Sequence, residues 1–158
     1  MTNLDWLGRL YDSVFWANER VLELPVGEGY ESARRYLHHI LAAERVWLLR
    51  LRGEESAGEE IWPHLSDVEA RAMAAENRTG YRRFLERLTE DGLDTAIEYV
   101  NQRGRRYRTA TADILIHVAM HGSYHRGQLA RAVREAGAQP INTDFINYVR
   151  QLDAPDAA

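Results

Sequence analysis

The chain has 158 residues, enough for one domain with a real hydrophobic core. Hydrophobic residues make up 45% and charged residues 28%, the balance of a soluble globular protein, and the apolar runs are too short and broken to span a membrane. There is no cysteine, which excludes disulfides, thiolate metal ligands and a Cys nucleophile, and a net charge of −4 gives no support to nucleic-acid binding.

The first residues, MTNLDWLGRL, are amphipathic and lack the basic start and apolar block of a signal peptide, so a cytoplasmic protein is expected. A first helix runs from about Asn3 to Leu24. Leu7, Leu10, Tyr11, Val14, Phe15, Asn18, Val21 and Leu22 lay a stripe on one side, and Pro25 and Gly27 stop it. A second helix runs from about Glu31 to Leu51, with Tyr36, Ile40, Ala43, Val46, Trp47 and Leu51 as its stripe and Gly53 at its end. An acidic loop follows, GEESAGEE, read as solvated.

Ser66 followed by Glu69 forms a capping box that opens a third helix reaching about Thr89, with Met73, Tyr81, Phe84, Leu85 and Leu88 inward. Residues 95–110 alternate around a Gly-containing turn and are rich in Ile, Tyr, Val and Thr, which predicts two short strands or an extended crossover. The basic run RGRRYR in that segment reads as a solvated hairpin, or as a patch steering an anionic substrate. Thr111 caps a fourth helix through Ala136, ended by Gly137 with Pro140 beyond. A short helix from Thr143 to Leu152 and a frayed tail at 153–158 complete the chain. Four amphipathic helices of roughly 20 residues bury their stripes most simply in an all-α four-helix bundle, one domain over residues 1–152.

The fourth helix carries His117, His121 and His125, half of the six histidines in the chain. Residues four apart share a helix face, and Ile114, Val118, Leu129, Ala132 and Val133 border this one, so the row faces the core or a pocket opening from it. Buried imidazoles need partners, either hydrogen bonds within the core or a metal ion. One cation can use two imidazoles at i and i+4, but not all three of a straight helix, because the outer pair is about 12 Å apart. A third ligand must come from another helix. His39 shares the buried stripe of the second helix, whereas His38 lies with Arg34, Arg45 and Arg52 on the side read as solvent. The candidate metal site is therefore His39, His121 and His125, with His117 one turn away and His64 at the surface.

The stretches FWANERVLE, HHILAAERVWLLRLRGE and HVAMHGSYHRGQLARAVREAG, in this order and separation, resemble the DinB family, the damage-inducible and YfiT-like helical bundles. The resemblance implies an up-down-down-up four-helix bundle, often a homodimer, with a three-histidine divalent-metal site on the positions of His39, His121 and His125. Some relatives of this fold are thiol-dependent transferases or isomerases using glutathione, mycothiol or bacillithiol.

On this reading the cofactor is a divalent metal ion, Zn or Ni first, then Fe or Mn. The protein is either a metal-dependent enzyme, a low-molecular-weight-thiol transferase or a hydrolase, or a non-catalytic metal-binding stress-response bundle. Its partner is then a small-molecule substrate, with no nucleic acid and no membrane. Arg126 is a candidate substrate contact, binding a carboxylate in bidentate fashion, or else a salt-bridging residue on the helix flank. Gly127 reads as room for a neighbouring helix or a ligand. Trp16, Trp47 and Trp62 with Tyr11 and Tyr124 read as core or as an aromatic pocket, and Glu44 as a surface partner for an arginine.

Overall fold

The computed structural model describes residues 1–153. Among the described residues the elements are α1 (Asn3–Leu22), α2 (Glu31–Leu51), α3 (Asp67–Arg87), a 3₁₀ turn (Asp91–Asp94), β1 (Ala96–Val100), β2 (Arg106–Ala110), α4 (Thr111–Glu135) and α5 (Phe145–Asp153). Of the tail expected at 153–158, Asp153 instead ends α5, and the rest lies outside the described residues. No helix among the described residues is long and apolar enough to cross a membrane.

Helix ends follow local chemistry. Thr2 caps α1 in a reciprocal box with Asp5, and Ser66 caps α3 in the expected box with Glu69. α1 stops at Leu22, two residues early; Leu24 precedes Pro25, a position that disfavours helical backbone. α3 also stops short of Thr89; Leu88 is already extended. Gly53 and Gly137 leave α2 and α4 with φ of 71° and 80°, where a side chain would be strained. Thr111 does not cap α4. It is the first helical residue, and its hydroxyl donates to the Thr95 carbonyl at 2.8 Å, tying the helix start to the entry of β1.

The strands form an antiparallel hairpin with Ala96 opposite Ala110 and Val100 opposite Arg106. Its basic tip is solvent-exposed. α2 packs most extensively on α4 and next on α3, and α1 lies mainly against α3 and α4. Two apolar clusters result. One contains Tyr11, Val14, Phe15, Leu48, Tyr81, Ile114, Leu115 and Val118; the other contains Val21, Leu37, Leu41, Ala70, Leu129 and Val133.

Each long helix also contributes a buried polar side chain to one hydrogen-bonded network. Asn18 of α1 donates to Glu44 of α2 at 2.8 Å and accepts from Arg126 of α4 at 3.2 Å. Asn77 of α3 donates to the Leu41 carbonyl at 2.9 Å and to Glu44 at 3.4 Å. Glu44 is therefore not at the surface; it is 2% exposed. Burial pushes its carboxyl up to about 7, against the hydrogen bonds from Asn18 and Asn77 and the charge of Arg126, which favour the anion. The solvent face assigned to α2 is also absent at its N-terminal end. Arg34 is buried and pairs with Asp67 of α3 at 3.0 Å. His38 is buried too, its Nδ1 accepting the Leu65 backbone N–H at 3.3 Å. A helix with α3 on one flank and α4 on the other has little surface left for water.

Candidate metal centre

His39 comes from the middle of α2, and His121 and His125 from successive turns of α4. The extensive packing of those two helices brings the rings together. His39 Nε2 lies 3.3 Å from His121 Nε2 and 3.1 Å from His125 Nε2, and one ligand nitrogen from each ring lies within 4.8 Å of the others. Tetrahedral zinc with Zn–N near 2.0–2.1 Å places its nitrogens about 3.3 Å apart, so the spacing fits a single ion.

The other face of two rings is fixed. His39 Nδ1 faces the Ile61 carbonyl at 2.5 Å, and since a carbonyl only accepts, Nδ1 carries the proton. His125 Nδ1 lies 2.6 Å from Gln128 Oε1, which sets the same tautomer, and the Gln128 amide donates in turn to the Tyr124 hydroxyl at 3.4 Å. Both Nε2 atoms then present bare lone pairs at 3.1 Å. Two lone pairs at that distance repel unless a cation lies between them, and the imidazole–carbonyl and imidazole–amide bonds behind are the supports that orient metal-binding histidines.

Electrostatics prepares the rings in the same sense. Burial lowers the pKa of His39 below the usual histidine range, with the neighbouring His125 adding to the effect and the Ile61 carbonyl opposing it. His121 is pushed down to about 3, by burial first and then by the facing His125, His39 and His117. Both are neutral near pH 7, the form that coordinates a cation.

The walls are aromatic. Trp62, from the loop between α2 and α3, stacks on His39 with centroids 3.7 Å apart and planes 5° from parallel. Tyr36 stacks near His125 at 6.2 Å, and Tyr124 meets that ring edge-on at 5.1 Å. His117 stays outside the triad. It is exposed, 5.6 Å from His121 and 5.1 Å from Trp47, over which the Arg50 guanidinium lies at 4.4 Å. His64 is exposed as expected. Of the remaining aromatics, Tyr11 is core and Trp16 packs on Tyr148 of α5.

Arg126 does not point at the triad; it is buried and turned toward Asn18. Gly127 has nothing within 4 Å of where a Cβ would stand, so no helix approaches it. Sequence reasoning named no support for the rings. Gln128 was findable, since it sits three residues after His125 on the same helix face. Trp62 and Tyr124, read as core or as an aromatic pocket, both lie against the ligand rings, whereas Ile61 was not findable, because only the path of a loop carries its carbonyl to His39.

The family description "DinB family" matches residues 17–155. The chain is 25% identical, over an alignment 171 positions long, to "Protein DinB" of Bacillus subtilis (strain 168), covering 92% of this chain and 94% of that one. A crystal structure of a DinB-like protein from Bacillus cereus ATCC 10987 superposes with a TM-score of 0.63, over 86% of this chain and 94% of that one, at 19% identity. That last likeness concerns the fold. With the family match running through α2, α4 and all three histidines, the chain belongs to the DinB family.

Proposed function

We propose that this protein binds a divalent metal ion through His39, His121 and His125 and uses it in catalysis, as a low-molecular-weight-thiol transferase or a hydrolase. The observation that carries the reading is the convergence of three Nε2 atoms, with the Nδ1 protons of two rings tied to Ile61 and Gln128. Zinc or nickel suits three imidazoles best, and iron or manganese follows. A divalent ion there supplies Lewis acidity, which acidifies a thiol or a water and so provides a nucleophile near neutral pH. The chain's own residues do the rest. Trp62 and Tyr36 shield the rings, Gln128 and Ile61 hold their tautomers, and the Tyr124 hydroxyl stands at the rim.

A non-catalytic metal-binding module is the second reading. It is favoured by the make-up of the metal-capable group, which among the described residues is three histidines and includes no carboxylate that could double as a base. The packing of α2 on α4 and α3, and of α1 on α3 and α4, supports a single up-down-down-up four-helix bundle. Exposed Ile146 and Leu152 on α5 offer apolar surface to a second copy in a cytoplasmic homodimer.

Elemental analysis of the natively expressed protein and of its His39→Ala variant tests metal binding. One ion per chain is expected in the wild type and none in the variant; a metal-free wild type with no calorimetric uptake of Zn²⁺ or Ni²⁺ refutes it. Assays of the loaded protein with thiol–electrophile pairs and with hydrolysable esters then separate the two readings.

A further inference from the structure

Arg126 has work to do away from the histidines. Arg126 is 7% exposed, yet among the described residues one hydrogen bond holds its guanidinium, to Asn18 at 3.2 Å. Asn18 stands between it and Glu44, so no carboxylate of the described residues forms an ion pair with it. A guanidinium has five N–H donors. Those spared here open onto a cleft of about 180 Å³ between α1, α4 and the start of α5, walled by Leu10, Val14, Ile116, Met120 and Phe145.

A second, more polar hollow of about 370 Å³ adjoins it, and the two share Ser123, Arg126 and Thr143. The side chain reaches this position by folding back over Gly122: a Cβ there would stand 2.9 Å from its Nη1. A glycine inside a helix costs about 1 kcal/mol relative to alanine, and the room it makes for the guanidinium accounts for its presence. Ser123, on the cleft, is two residues from both His121 and His125, roughly opposite them around α4. The cleft is therefore separate from the triad.

We infer that this cleft binds a small amphiphilic monocarboxylate, its carboxylate on Arg126 and its aliphatic chain along Ile116 and Met120. A buried cation at the base of an apolar cleft selects for one charge at one end of an apolar body. From Gly122 to Ile116 the helix rises about 9 Å, the reach of a chain of about six to eight carbons.

Calorimetric titration with sodium octanoate tests the inference, with octan-1-ol and octylamine as controls. The wild type binds octanoate saturably and more tightly than either control. Ser123→Phe, which fills the cleft from an exposed position without touching Asn18 or Glu44, weakens it about tenfold or more, and so does Arg126→Met where circular dichroism shows it folded. His39→Ala binds octanoate like the wild type, whether or not the triad binds metal. Absence of saturable binding overturns the inference, as does octan-1-ol binding as tightly as octanoate, indifference to Ser123→Phe, or loss of octanoate binding in His39→Ala.

Discussion

Glu44→Gln is expected to abolish a specific loss of stability on the alkaline side. In the folded chain the Glu44 carboxyl is fully buried and titrates at about 7, against 4.5 ordinarily. Between those values the folded state holds a proton that the unfolded state has released, so stability falls as pH rises from about 4.5 to about 7. At 1.36 kcal/mol for each pH unit separating the folded and unfolded titrations, the wild type loses about 3 kcal/mol across that window. For a chain of this size that corresponds to roughly 6–12 °C in Tm.

Glutamine keeps the carbonyl that accepts from Asn18, although its amide then faces the Asn77 amide; that mismatch is a constant offset without pH dependence. His121 works in the opposite direction. Its pKa is lowered to about 3 in the folded chain, so it removes stability as pH falls below the ordinary histidine value. Urea unfolding of wild type and Glu44→Gln from pH 5 to pH 8.5 cancels that shared contribution. The wild-type minus variant difference should decline by about 3 kcal/mol on going alkaline. A flat difference would refute the assignment of Glu44 as a buried carboxyl that keeps its proton.

Gln128→Leu removes the acceptor behind His125 Nδ1 and should weaken zinc binding about 10–100-fold in a chelator competition; unchanged affinity would deny that support a role. Two glycine-to-alanine changes inside helices should have opposite signs in parallel thermal melts. Gly80→Ala drives a Cβ into the buried Leu48 Cδ2 and should cost about 1–3 kcal/mol despite alanine's better helix propensity. Gly127→Ala meets nothing within 4 Å and should add about 1 kcal/mol; the reverse order would show that close packing does not explain Gly80.

The helical periods, the capping box at Ser66, the glycine stops at Gly53 and Gly137 and the i, i+4 pair His121 and His125 were all legible in the sequence, because each depends on residues within a turn or two. His39 was chosen by phase, and the structure places it against that pair. The same phase argument misread Arg34, His38 and Glu44, since it supposed one wet face on a helix that α3, α4 and the following loop cover from several sides. It missed that Thr111 ties down the hairpin rather than capping a helix. It also had no means of placing Ile61 and Trp62 on His39, or Arg126 over Gly122. A repeat of 3.6 residues says which side chains travel together along a helix; what lies opposite them is decided by contacts between residues tens of positions apart, and those form only when the whole chain packs.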